Sequence, residues 1–287
     1  MSAAGRRPLV GARLAALAAL AASGALLGLP APAAADHRGP TAPEWVFRSP
    51  GAEGALVAMG AVSTAAYLLP QRRGTWAPYV ARPLDPRLDA ISDITGAMGG
   101  SLLLVGGAYL FEASYYAEHR APEPFARALR TSLIDVEAVL LTSGIVATLK
   151  RLAGRCRPRS WKDARCSDED EEYSAFPSGH TAPVAAIAGV HLSLAARTPG
   201  HAGLRLGALG LAEAATLVTM ALRIGAGAHS WEDVGAGFLL GHVTGVAIGF
   251  AHPMVDLGTA GHLAAPGSRA AASPGQAPAV FTWSGVF

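Results

Sequence analysis

The chain has 287 residues, 51% of them apolar and only 15% charged, with a net charge of +2. Soluble domains carry about a quarter charged residues, so this composition suits helices packed in or beside a bilayer. The basic residues are scattered or gathered in one short cluster, which argues against a nucleic-acid-binding surface.

In chain order, Arg6, Arg7 and Arg13 precede the uncharged apolar run Leu14–Leu29 and then the small residues up to Ala35. A basic start, a short apolar stretch and small residues before a cut are the three parts of an export signal. Residues 1–35 are therefore expected to be a signal peptide, with an uncleaved membrane anchor as the alternative. Its loss takes three arginines and no acid, so a net charge of +2 becomes −1. Residues 36–53 read as a linker. Six apolar segments follow: Gly54–Leu69, Ile91–Phe111, Ser132–Leu149, Thr181–Ala196, Leu204–Leu222 and Val234–His252. None alternates as a strand would, and β-branched residues are sparse, so each is expected to be a helix. Pro70, Pro83, Pro86, Pro122, Pro124, Pro199-Gly200 and Pro253 mark the joints. The expected architecture is all-α, a six-helix bundle over residues 54–256 with its active site at one end. Residues 257–287, rich in Gly, Ala, Ser and Pro, read as a disordered tail.

Asp135, Glu137, His191, Glu213 and His242 fall inside these apolar segments. Each is expensive in lipid unless it faces the bundle interior. A membrane-spanning bundle and a soluble periplasmic one both remain open. At a helical rise of about 1.5 Å per residue, His191, Glu213 and His242 share one level below the joints that follow. Either each is satisfied separately by backbone or water, or the three form a buried layer in which Glu213 pairs with at least one of the two histidines. Cys156 and Cys166 either form a disulfide, as an exported protein allows, or remain two thiols.

Three joints carry the chemistry. The first, Lys150-Arg151-Leu152-Ala153-Gly154-Arg155-Cys156-Arg157-Pro158, ends the third segment and offers an ammonium and guanidinium forks to phosphate oxygens. The second, Phe176-Pro177-Ser178-Gly179-His180, opens the fourth, where free N–H groups and the helix dipole favour an anion. His180 could hand a proton to a leaving oxygen. The third runs from Arg223 through His229 to Asp233. Four-residue spacing puts His229 and Asp233 on one face, if a helix starts before Asp233. A carboxylate behind an imidazole fixes its tautomer and stabilises its cationic form, which suits a nucleophile. In an up-and-down bundle all three joints fall at the same end.

Lys150 with six residues before Arg157-Pro158, then Pro177-Ser178-Gly179-His180, then Arg223 with five residues before His229 and three more before Asp233, resembles the type 2 phosphatidic acid phosphatase family. Its superfamily also holds bacterial acid phosphatases and vanadium haloperoxidases. The resemblance covers about Ser132 to His252. It implies that His229 is the nucleophile forming a phosphohistidine, Asp233 its orienting partner and His180 the acid for the leaving alcohol. Lys150, Arg157, Arg223, Ser178 and Gly179 would hold the phosphoryl oxygens, with no metal and no other cofactor. One departure is Leu222, where the family commonly has serine before the arginine; altered or reduced activity is expected. The implied substrate is a lipid phosphate or another small phosphorylated molecule. The implied location is the inner membrane of a bacterial-type cell envelope with the site facing the periplasm, or the periplasm itself. A haloperoxidase holding vanadate in the same cage, and a non-catalytic anion-binding membrane protein, are the alternatives. Nothing in the sequence sets the oligomeric state.

The run Asp168–Glu172 lacks the alternating spacing of a calcium loop and reads as a solvated acidic loop bordering the site. His119, His201, His252 and His262 lack metal-ligand spacing and read as surface residues. Trp231 either lines the leaving-group pocket or packs.

Overall fold

Segments rich in alanine and leucine, without strand-like alternation, form helices over most of the described residues. The computed structural model describes residues 43–45, 58, 60, 65–74, 76, 80–121, 123–163, 165–198, 201–252 and 254–256. Six α-helices have described bounds: α1 Pro86–Thr95, α2 Ala97–Glu118, α3 Pro124–Ala153, α4 Thr181–Arg197, α5 Ala202–Gly225 and α6 Trp231–Ala251. A three-residue ribbon, β1 Pro43–Trp45 antiparallel to β2 Met254–Asp256, is the only sheet among the described residues. The fold is all-α, as expected. The expected signal segment and tail lie outside the described residues. Of the segment Gly54–Leu69, Ala58 and Gly60 are helical and Ala65–Leu68 form a 3-10 turn.

The segment Ile91–Phe111 is two helices rather than one. Asp85 caps α1 by accepting from the amides of Arg87 and Leu88, so the helix starts before the apolar run. It breaks at Gly96, where a Cβ would sit 2.7 Å from His180 Cβ and 2.9 Å from Thr219 Cγ2. That tight passage lays α1 across the end of the bundle where His180 stands.

Helix α4 is the hub, packed against α2, α3, α5 and α6. Nearly all its residues are buried, most of them alanine, valine, isoleucine or leucine. Its closest neighbour is α6, which presents Gly237, Gly241 and Gly245 at four-residue spacing. A Cβ on Gly241 or Gly245 would overlap the carbonyl oxygens of Ala182 or Ala186. Small residues on one face let two backbones touch, as in helix pairs within membranes. Two apolar clusters fill the rest, one around Ile134, Val190, Leu194 and Ile248, the other around Val105, Val139, Ile187 and Leu209.

The interior is polar at several levels while the outside is apolar. Glu213 meets His242 at 2.8 Å, the expected pairing across α5 and α6. His191 pairs instead with Asp135 of α3 at 3.4 Å. Glu112 holds Arg205 at 2.7 Å, and Arg205 also donates to the Tyr116 hydroxyl. His252, read as a surface residue from sequence, is buried and lies 3.2 Å from Glu137. Leu102, Leu110, Leu133, Leu211, Leu239, Val243 and Phe250 face outward. Among the described residues, α3, α5 and α6 are each long and apolar enough to cross a membrane.

Two substitutions test this packing. Gly245→Ala forces a methyl into a backbone contact and should lower stability by about 1–3 kcal/mol. Gly235→Ala, on the same helix with nothing within 4 Å of the added carbon, should be neutral or stabilising by up to about 1 kcal/mol. Thermal unfolding in detergent compares them; equal losses would count against the α4–α6 contact. Glu213→Leu leaves His242 without its carboxylate and should cost about 1–3 kcal/mol in the same assay.

Candidate active site

Lys150 lies in the last turn of α3, His180 is the N-cap of α4, Arg223 lies in the last turn of α5, and His229 precedes α6 by two residues. Alternating helix directions bring all four to one end. Backbone hydrogen bonds then stitch the joints together. Ser178 N donates to Asp233 O at 2.9 Å, Ala175 N to Arg155 O at 3.0 Å, Arg157 N to Glu172 O at 2.8 Å, and Arg159 N to Gly227 O at 3.0 Å. The turn after α5 depends on Gly227, whose φ is +70° and where a Cβ would sit 2.5 Å from the Pro83 oxygen, leaving no place for a side chain. From there His229 N and Ala228 N both return to Arg223 O.

Helix α6 starts at Trp231, so His229 precedes it and does not share a helical face with Asp233. A capping box brings the two together instead. Asp233 Oδ2 accepts from Ser230 N at 2.8 Å and from Ser230 Oγ at 2.9 Å, while Ser230 caps the N-terminus. That carboxylate oxygen lies 3.8 Å from His229 Nδ1. Asp233 Oδ1 accepts from Arg155 Nη1 at 2.8 Å.

A cavity of about 490 Å³ opens here, lined by Lys150, Arg151, Arg157, Gly179, His180 and His229, with Tyr67, Gln71, Asp170, Glu171 and Ser174 at its wall and mouth. Lys150 Nζ donates to Ser174 O and Arg157 Nη2 to Ser174 Oγ, which aims both cations across the pocket. Ser178, Arg223 and Asp233 stand behind the lining. Ser178 Oγ accepts from Thr181 Oγ1 at 3.1 Å within the first turn of α4. Arg223 Nη1 lies 2.9 Å from Asp89, 2.8 Å from Ser92 and 3.0 Å from Asp93. Asp93 also meets His180 Nε2 at 2.8 Å.

Several of these partners escaped the sequence reading. Asp89, Ser92 and Asp93 share one face of α1 by their spacing, a visible signal. Ser230 with Asp233 has the spacing of a helix cap. Arg155 stood unremarked within the first motif. Glu172, expected to be solvated with the rest of its run, is buried against Arg159 and Ser160. Asp170 and Glu171 do border the cavity. Trp231 is exposed and does not line it; Trp76 lies over Arg155 instead. Cys156 and Cys166 are disulfide-bonded.

Burial, followed by Arg223, Lys150 and Arg157, pushes the His180 imidazole down to about 3. Asp89 pulls the other way, while the carboxylate of Asp93, 2.8 Å from Nε2, is 61% exposed and screened by water. Burial, then Lys150, Arg223, Arg157 and His180, hold His229 well below the usual imidazole range. Both rings are therefore neutral at pH 7, and both would gain a proton more readily once an anion offsets the cations.

Residues 133–254 match the sequence profile of the PAP2 superfamily. Among solved structures, the chain is similar to the first transmembrane PAP2 type phosphatidylglycerolphosphate phosphatase from Bacillus subtilis. The likeness is 22% identity with a TM-score of 0.38, over 71% of this chain and 88% of that one. No curated protein matches.

The two depressed histidines set a pH dependence. An unfolded histidine takes up a proton below about 6.5. Between that value and the lower folded ones, the unfolded state binds more protons, so stability falls as pH drops through the window. Each imidazole contributes up to about 1.4 kcal/mol per pH unit there. Urea unfolding from about pH 7 to pH 5 should show a falling midpoint, flattened in the His180→Gln/His229→Gln variant. An unchanged wild-type midpoint would contradict neutral buried imidazoles.

Proposed function

We propose that the protein is a phosphatase of the PAP2 type, acting on a phosphate ester, of a lipid in particular, through a phosphohistidine. The observation that carries this reading is the convergence of Lys150, Arg157, Gly179, His180 and His229 on one cavity, with Asp233 behind His229. Simple anion binding needs the cations but has no use for a buried neutral imidazole backed by a carboxylate.

The phosphoryl group sits between Lys150, Arg157 and the amides that open α4, whose fixed charges oppose the negative charge on its oxygens. His229 attacks phosphorus through Nε2 while the bond from phosphorus to the ester oxygen breaks. The departing oxygen takes a proton from His180, which gains that proton when the bound anion neutralises its cationic neighbours. Asp233 stabilises the charge that His229 acquires. Water, losing a proton to His180, then attacks the phosphohistidine and releases phosphate. Arg223 supports the cage from behind, held by Asp89 and Asp93. The fixed guanidinium and ammonium groups supply the charge that a metal would otherwise provide. Apolar outer faces and three helices of spanning length support a location in the membrane of a cell envelope, and the disulfide suits an exported chain.

Acid-quenched enzyme incubated with a radiolabelled phosphate ester should carry label on His229, and His229→Ala should lose both label and turnover. Turnover surviving at a near-normal rate would overturn the mechanism. His180→Ala should lower alkyl phosphate hydrolysis by about 10²–10⁴-fold. Nitrophenyl phosphate, whose leaving group needs little proton donation, should lose far less. Equal losses would remove the acid role from His180.

A further inference from the structure

Arg155 is fully buried at the N-terminus of α6. A helix N-terminus carries partial positive charge, so a buried cation there is opposed by the helix dipole. Three partners compensate. Nη1 donates to Asp233 Oδ1 at 2.8 Å, Nη2 lies 3.4 Å from Glu232 Oε1, and the Trp76 ring covers the guanidinium with its centroid 4.5 Å from Cζ. Trp76 is braced in turn by Phe176, at 4.9 Å between ring centroids, just ahead of the second motif.

Capping does not account for this arrangement. Ser230 and Asp233 close the capping box through Oδ2 and leave Oδ1 free for Arg155. A buried guanidinium is costly to desolvate, and this one is directed at the carboxylate behind His229.

We infer that Arg155 is a positioning residue that sets the proton affinity of His229 through Asp233. The inference rests on the reading of His229 as the nucleophile. The groups facing His229 fall into two sets. Lys150 of α3, Arg157 of the loop after it, Arg223 of α5 and His180 of α4 oppose its protonation. Asp233 favours protonation from 3.8 Å, with Glu232 beside it on α6. Asp170 and Glu171 lie at the cavity wall, while Asp89 and Asp93 are engaged by Arg223 and His180. Asp233 is thus the carboxylate nearest the imidazole, and Arg155 offsets its charge. With Arg155 present the imidazole stays neutral and its Nε2 lone pair is free for phosphorus. Asp233 stays ionised, ready to stabilise the cation formed on phosphoryl transfer. Without Arg155, Asp233 pulls harder on the imidazole proton, and protonation competes with attack at higher pH.

The test is the pH profile of kcat/KM for nitrophenyl phosphate in wild type, Arg155→Gln and Arg155→Lys, beside NMR titration of His229 assigned by loss of its signals in His229→Gln. In Arg155→Gln the acidic limb and the His229 titration should both move up by about one pH unit. Below the limb the variant should lose about tenfold relative to wild type, with a much smaller loss above it. Arg155→Lys should return the limb towards the wild-type position. A rate lowered equally at every pH, with the His229 titration unmoved, would make Arg155 merely structural and overturn the proposal. Should Arg155→Gln fail to fold, Arg155→Lys against wild type still decides. Its shorter side chain sets the charge farther from Asp233, so the limb should still rise by a fraction of a unit, less than in Arg155→Gln, and no shift would overturn the proposal. Wild type that carries no phosphate on His229 after acid quench would remove the underlying reading. Labelled wild type with an unmoved limb would remove only the role of Arg155.

Discussion

The contact between α4 and α6 governs the rest of the structure. Gly237, Gly241 and Gly245 bring the α6 backbone against Ala182 and Ala186, and at the top of that seam Ser178 N reaches Asp233 O. This places the N-terminus of α4 beside the His229 imidazole, the juxtaposition on which the proposed phosphoryl transfer rests. A side chain at the seam would separate the two motifs by the width of a methyl group or more. Preorganised electrostatics tolerates little such slack, because its advantage lies in charges that need not move.

Around that seam the molecule balances an unusual concentration of charge. Lys150, Arg155, Arg157, Arg159 and Arg223 crowd one end, and carboxylates from three separate places answer them. Asp89 and Asp93 come from α1, Glu171 and Glu172 from the acidic turn, and Glu232 and Asp233 from α6. Deeper in the bundle, Asp135, Glu137, Glu112 and Glu213 each meet a histidine or arginine on another helix. Cross-helix pairing of this kind leaves the outer surface to apolar side chains, which is the inverse of a water-soluble bundle.

The helical character, the convergence of three joints and the Glu213–His242 pair were all legible in the sequence. Periodicity and joint spacing depend on local chemistry, which a single chain displays. What escaped was set by tertiary contacts. The break at Gly96 arises from a close pass over His180 and Thr219, and no propensity encodes it. Asp89 and Asp93 could be placed on one face of a helix, but that they engage Arg223 and His180 depends on where α1 lies. His229 and Asp233 meet through a cap rather than a shared face, so the right proximity followed from the wrong helix start. His252 lacked metal spacing, yet its partner Glu137 is far away in sequence and unseen until the helices pack.

The small ribbon between β1 and β2 has a topological meaning. Helix α6 runs from the cavity to Ala251 at the far end, and β2 follows directly, so the ribbon and Trp45 lie at the end opposite the mouth. The segments that enter and leave the bundle are therefore on one side and the cavity on the other. Across a bilayer, a chain exported as far as Trp45 would open its cavity inward, against the outward orientation that the family resemblance implies. An outward-facing mouth requires Trp45 to stay inside. The sidedness of the whole protein thus reduces to the address of one residue, readable by a membrane-impermeant label or a protease cut near position 45.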